Sequence, residues 1–197
     1  MIISWLGQTG LKIEAGDALV FVEPPLEAIK RTAPRLLLST NGELSDIKKK
    51  LDLKETTVIN SPGEYEVSGV FVYAFPAAQA VNGHCHYVME LENMLVGYIA
   101  SVARKDITDN ELKELEDVDI LCLPIGGNGS LSVKEAAGLA SELEPRLVIP
   151  FGFDKAGVES FLKELGQKGV VAESKLKIQK KDLPQEDMKV VVLEPTV

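Results

Sequence analysis

"VDILCLPIGG", Val118 to Gly127, is the stretch that decides the fold. From Val118 to Ile125 nearly every position is apolar, broken only by Asp119 and Pro124. A strand with one wet face alternates, so a run without alternation suits a strand covered on both faces. "RLVIPF", Arg146 to Phe151, reads the same way. Upstream, Thr108 followed by Glu111 forms a capping box that opens a short helix, "DNELKELED". Ser132 with Glu135 repeats the device, and Val133, Ala136, Ala137, Ala140 and Leu143 then share one helical face. Asp154 can cap "KAGVESFLKEL", which Gly166 stops, and "VVAE", "KLKIQ" and "MKVVVLE" are predicted to close the chain as strands.

The part before about Ile99 has a different rhythm. "IISWL", "LKIE", "ALVFVE" and "RLLLS" are short strands separated by turns, and such short connections predict antiparallel neighbours. "TTVIN", "YEV", "GVFVYAFP", "HYVMELE" and "MLVGYI" continue the series, with Asn93 at a hairpin turn. "LKIE" alternates and suits a sheet surface, whereas "VDILCLP" does not. Both patterns are satisfied by an αββα sandwich, two mixed sheets packed face to face with helices outside, in one domain over residues 1–197. The chain shows no short-period repeat and no low-complexity segment.

With 45% hydrophobic and 26% charged residues the chain is an ordinary globular sequence, long enough for one sizeable core. Its formal net charge of -9 repels phosphate backbones and anionic lipid, which argues against nucleic acid or a membrane surface as partner. The start of the sequence lacks the pattern of a secretory signal, and no stretch approaches ~20 consecutive apolar residues. Cys85 and Cys122 are in no C-x-x-C spacing, which fits a reducing cytoplasm.

In chain order, "WLGQTGLKIE", "VFVEPP", "RLLLSTNGELSD", "SPGEYEVSGVFVYAFP", "HYVMELENMLVGYI", "DVDILCLPIGGN" and "VKEAAGLASELEPRLVIPF" resemble the metallo-β-lactamase fold. Within it they are similar to the small lactonase-like hydrolases related to ascorbate-6-phosphate lactonase. The resemblance runs from about Trp5 to Phe153. It implies a dinuclear metal centre built from a T-H-x-H-x-D-H loop. Laid on that motif, Thr40 is kept, Asn41, Glu43 and Asp46 stand where histidines are expected, and Ser45 stands for the aspartate. Gln79 is the match for the histidine after "FP", Ser101 for the bridging aspartate, Gly152 for the last histidine and Gln8 for the histidine after "WLG".

Zinc takes imidazole, thiolate and carboxylate donors, and a two-metal hydrolase needs ligands for two ions ~3.5–4 Å apart. Serine and glycine cannot supply them, so the expectation is a degenerate metal site with no zinc and no catalytic residue. The chain is then a pseudoenzyme acting by binding a small molecule or protein, or as a homo-oligomer. The alternative is a metal-dependent hydrolase of lactones, esters or phosphodiesters, holding a single Mg, Mn or Ca ion on Glu43 and Asp46. Those two side chains also read as solvated loop residues, with Asp46 capping "IKKKL".

Other candidates are weaker. His84 and His86 flank Cys85 at the start of a strand, so alternation puts both rings on one face, and the pair is expected at the surface. Cys122 is expected to be a buried apolar residue, not a nucleophile. "GGNGS", Gly126 to Ser130, lacks the ending of a P-loop and reads as a turn into a helix. No G-x-S-x-G context supports a serine triad.

Overall fold

The computed structural model describes residues 1–40, 54–77, 85–126 and 130–196. These form a six-stranded and a seven-stranded sheet. The first has the order β12-β1-β2-β3-β4-β5, made of β12 (Leu176–Lys177), β1 (Ile2–Gly7), β2 (Gly10–Ala15), β3 (Ala18–Val22), β4 (Leu36–Leu38) and β5 (Thr57–Ile59). The second has the order β13-β11-β10-β9-β8-β7-β6. Its strands are β13 (Lys189–Val190), β11 (Leu147–Phe151), β10 (Ile120–Pro124), β9 (Met94–Tyr98), β8 (Cys85–Leu91), β7 (Val70–Pro76) and β6 (Gly63–Val67).

Alternation along each strand sorts its side chains between layers. Ile3, Ile13, Val20 and Leu38 of the first sheet meet Val72, Tyr87, Val96 and Ile149 of the second in a dry core between them. Leu121, Leu123 and Val148 point the other way, under α3 (Val133–Leu143) and α4 (Lys155–Glu164), which bring Ala136, Leu139, Ala140 and Phe161. On the far side of the first sheet, α1 (Leu26–Arg31) sets Ala28 and Ile29 on Phe21 and Leu37. Helices therefore lie outside two mixed sheets, as the residue patterns require. The run from Val118 is β10, buried throughout and flanked by parallel neighbours on both sides.

Local signals are confirmed in atomic detail. Both capping boxes form, at Thr108 with Glu111 on α2 (Asp109–Lys113) and at Ser132 with Glu135 on α3, and Asp154 accepts from the Gly157 N–H on α4. Accepting from Ser132 lowers the Glu135 carboxyl below its ordinary range. Glu92 and Asn93, with φ of 49° and 62°, make the tight turn between β8 and β9 that Asn93 signals.

Two expectations are corrected. Antiparallel pairing holds for β1, β2 and β3, but β3 with β4 and β4 with β5 are parallel. The chain returns between β3 and β4 through α1, whose N-cap is Pro25; six residues give too little periodicity to show a helix. At the other end, "VVAE" is not a strand: Val171 is 78% exposed and Glu173 makes only an isolated bridge to Leu193. "KLKIQ" and "MKVVVLE" shrink to the two-residue β12 and β13, because each meets a sheet only along its edge.

Candidate functional site

The ends of β1, β9 and β11 meet at one end of the sandwich, and the end of β4 is tied to β8. Three anchors hold this mouth together. Trp5, on the last buried turn of β1, donates from Nε1 to the Gln8 carbonyl at 2.9 Å and stacks on Phe153, ring centroids 4.7 Å apart. Tyr98, at the end of β9, donates to the Thr9 carbonyl at 2.8 Å, and Tyr87 donates to the Ser39 carbonyl at 2.5 Å. Burial pushes both phenols above their ordinary range, so they remain proton donors. The Cys85 N–H donates to the Thr40 carbonyl at 3.0 Å, which ties the start of β8 to the end of β4.

Of the residues aligned with metal ligands, the structure brings Gln8 and Gly152 together. A Cβ added at Gly152 would be 3.7 Å from the Gln8 carbonyl oxygen. Gly152 has φ of 72°, a conformation that side chains rarely adopt, so the backbone itself is set for glycine there. Ser101 is half-buried and follows Ala100, whose N–H is held in the core. Asn41, Glu43, Ser45, Asp46 and Gln79 lie outside the described residues, as do His84, Gly127 to Gly129 and the segment "IKKKL". Among the described residues no group of three or more histidine, cysteine, aspartate or glutamate side chains could hold a metal ion. Of the aligned positions that the structure describes, Gln8 carries an amide, Ser101 a hydroxyl and Gly152 no side chain, and none of these is the imidazole or bridging carboxylate that a dinuclear centre uses.

Two features escape sequence reading. Glu23 follows β3 with φ of 45°, and its carboxylate accepts from the Thr40 N–H. A non-glycine residue in that region costs roughly 1–2 kcal/mol, which this hydrogen bond helps to offset. The signal was a carboxylate between a buried strand and Pro24-Pro25. The second feature overturns the surface reading of the histidines: His86 is fully buried. Its Nδ1 accepts from the Ala100 N–H at 3.0 Å, and its Nε2 is 3.6 Å from Glu111 Oε1. Since Nδ1 accepts, the neutral ring carries its proton on Nε2, turned to Glu111 and unable to ligate a metal there. Alternation put His86 on the right face; that α2 covers this face is a long-range fact.

Cys85 and Cys122 are both fully buried, and burial alone raises both thiols, Cys122 to about 12. Cys122 thus sits as the sequence predicts, inside the core. We expect a thiol-specific chromogenic reagent at pH 8 to leave the native protein unlabelled while the unfolded chain releases two equivalents. Rapid labelling of the native state would contradict the packing of β8 and β10.

A family model described as the beta-lactamase superfamily domain matches residues 2–152. The chain belongs to the beta-lactamase superfamily. Curated relatives include a UPF0173 metal-dependent hydrolase of Thermococcus onnurineus, 32% identical over 130 residues, covering 59% of this chain and 57% of the relative. Another, from Pyrobaculum calidifontis, is 24% identical over 192 residues, 78% of this chain and 84% of its own length. The match to the Thermococcus protein thus spans little more than half of that relative. Among solved structures, a metallo-beta-lactamase superfamily protein of Thermotoga maritima superposes with TM-score 0.76 at 20% identity, covering 98% of this chain and 97% of that one. Igni18, a metallo hydrolase of Ignicoccus hospitalis, gives TM-score 0.66 at 14% identity over 90% and 99% of the two chains. These likenesses carry the superfamily's fold across to the present chain. In the described residues no helix is long and apolar enough to cross a membrane.

Proposed function

We propose that this chain is a superfamily member that does not assemble the dinuclear metal centre and acts by binding instead of metal-dependent hydrolysis. The observation that carries the proposal is the chemistry of the aligned positions that are described: Gln8 and Ser101 are neutral, and Gly152, with φ of 72°, offers only backbone. Neither an amide nor a hydroxyl replaces imidazole or a bridging carboxylate as a ligand for paired transition ions. Asn41 and Ser45 extend the same chemistry by sequence, and Gln79 follows. The ligand is then a small molecule or protein reached in the cytoplasm, or a second copy of the chain; an acidic net charge of -9 directs it away from nucleic acid and anionic lipid.

A second reading is supported by the relatives, which carry the name metal-dependent hydrolase. It places one Mg, Mn or Ca ion on Glu43 and Asp46 and gives the chain a lactonase-like, esterase or phosphodiesterase activity. One experiment separates the two. Protein purified without chelator is expected to hold far less than one zinc or manganese per chain by elemental analysis. It is also expected to show no hydrolysis of lactones, esters or phosphodiesters when Mg, Mn or Zn is added. Stoichiometric, tightly held metal overturns the proposal, and a metal-dependent rate lost in Glu43→Ala or Asp46→Ala establishes the second reading.

A further inference from the structure

The outer face of β7 carries an aromatic row that no helix covers completely. Alternation sends Val70, Val72 and Ala74 into the core between the sheets and Phe71, Tyr73 and Phe75 to the opposite face. Phe75 is sealed under the outer layer, Tyr73 is half-buried and stacks on it at 5.5 Å, and Phe71 is 51% exposed. Among the described residues a large apolar side chain open to that degree is unusual; the other such residue is the loop residue Val171. The row forms the floor of two adjoining hollows of about 460 and 280 Å³, which share Tyr73 and Glu114.

The walls of this groove carry one sign of charge. Cross-strand register sets Glu66 and Glu90 on either side of Phe71, and Glu64 beside Tyr73 with Val88 opposite. Glu114, just past α2, closes the far wall. All four glutamates are exposed, and none makes an ion pair among the described residues. Carboxylates held around aromatic faces attract cations twice over, by direct charge and through the ring quadrupole. From Phe71 to Phe75 the floor runs roughly 13 Å at ~3.3 Å per residue, the span of a short extended segment.

We propose that this groove docks an extended segment of another protein in which arginine or lysine alternates with apolar residues. Apolar side chains meet Phe71, Tyr73 and Val88, while the intervening cations, on long flexible stems, reach back over the edges of the segment to the glutamates that flank this floor. A second copy of this chain is a poor occupant, because it would bring the same four carboxylates against them. The inference does not depend on whether the mouth holds metal, since the groove lies on the outer face of the second sheet.

The test is a titration of the full chain against a dye-labelled, blocked peptide alternating arginine and leucine, followed by fluorescence anisotropy at low salt. Binding is expected, weakened roughly tenfold by Glu64→Lys combined with Glu90→Lys, and weakened also by Phe71→Ser and by salt near 0.15 M. Both glutamates are exposed, so the charge-reversed variant should fold, and its melting temperature checks that. The proposal fails if no binding occurs, if a glutamate–leucine peptide binds equally, or if the charge reversal changes nothing. Argininamide alone competing as strongly as the peptide would assign the groove to a small cation. A dimer in sedimentation that Phe71→Ser abolishes would assign it to self-association. Either outcome overturns the proposal.

Discussion

Phe151→Ala is expected to cost about 3–5 kcal/mol of unfolding free energy, the range for removing a large aromatic ring from a packed core. The ring is fully buried at the end of β11 and lies nearly parallel to Tyr98, with centroids 5.0 Å apart and planes 10° from one another. Such a pair contributes about 0.5–1.5 kcal/mol beyond the area it buries. Tyr98 in turn donates to the Thr9 carbonyl, so the stack links β11, β9 and the turn after β1. A domain's whole stability is of order 5–15 kcal/mol, and a loss of this size removes a large part of it. Urea unfolding measures it as a lower midpoint at unchanged m-value. A loss below about 1 kcal/mol would mean that the rings do not pack as described.

The fold was legible wherever local chemistry and long-range packing agree. The run from Val118 announces a doubly covered strand because every neighbour of β10 is apolar, and the capping boxes announce α2 and α3 because their donors lie within four residues. Legibility failed where a partner distant in sequence decides the outcome. α1 is helical because the chain must return to pair β4 parallel to β3 over Phe21 and Leu37, which six residues cannot state alone. The terminal strands are short because only part of each reaches a sheet edge. At the mouth, resemblance aligned Gln8 and Gly152 separately with expected ligands, and in the structure a Cβ added at Gly152 would be 3.7 Å from the Gln8 carbonyl oxygen. It did not name Glu23, whose carboxylate holds the Thr40 N–H from just past a strand end and so has no ligand-like spacing to betray it.

The histidine that sequence reading left at the surface supplies the second large effect. His86→Ala is expected to destabilise the fold by roughly 2–5 kcal/mol, through a buried cavity and through an amide left without an acceptor. The ring lies 5.4 Å from Phe75 in the outer layer, and the Ala100 N–H that it accepts is itself buried. His86→Asn separates the two contributions, because its side-chain oxygen can stand close to where Nδ1 stood. It should recover about 1 kcal/mol and restore slow hydrogen exchange at the Ala100 amide, while the cavity cost persists. Exchange at Ala100 is the decisive readout, since a ring that merely filled space would leave this amide as protected in His86→Ala as in the parent. Because Ser101 follows that amide, the same experiment reports how firmly the outer face of the second sheet fixes the backbone leading to Ser101. A site built for binding depends on that rigidity as much as a catalytic one does.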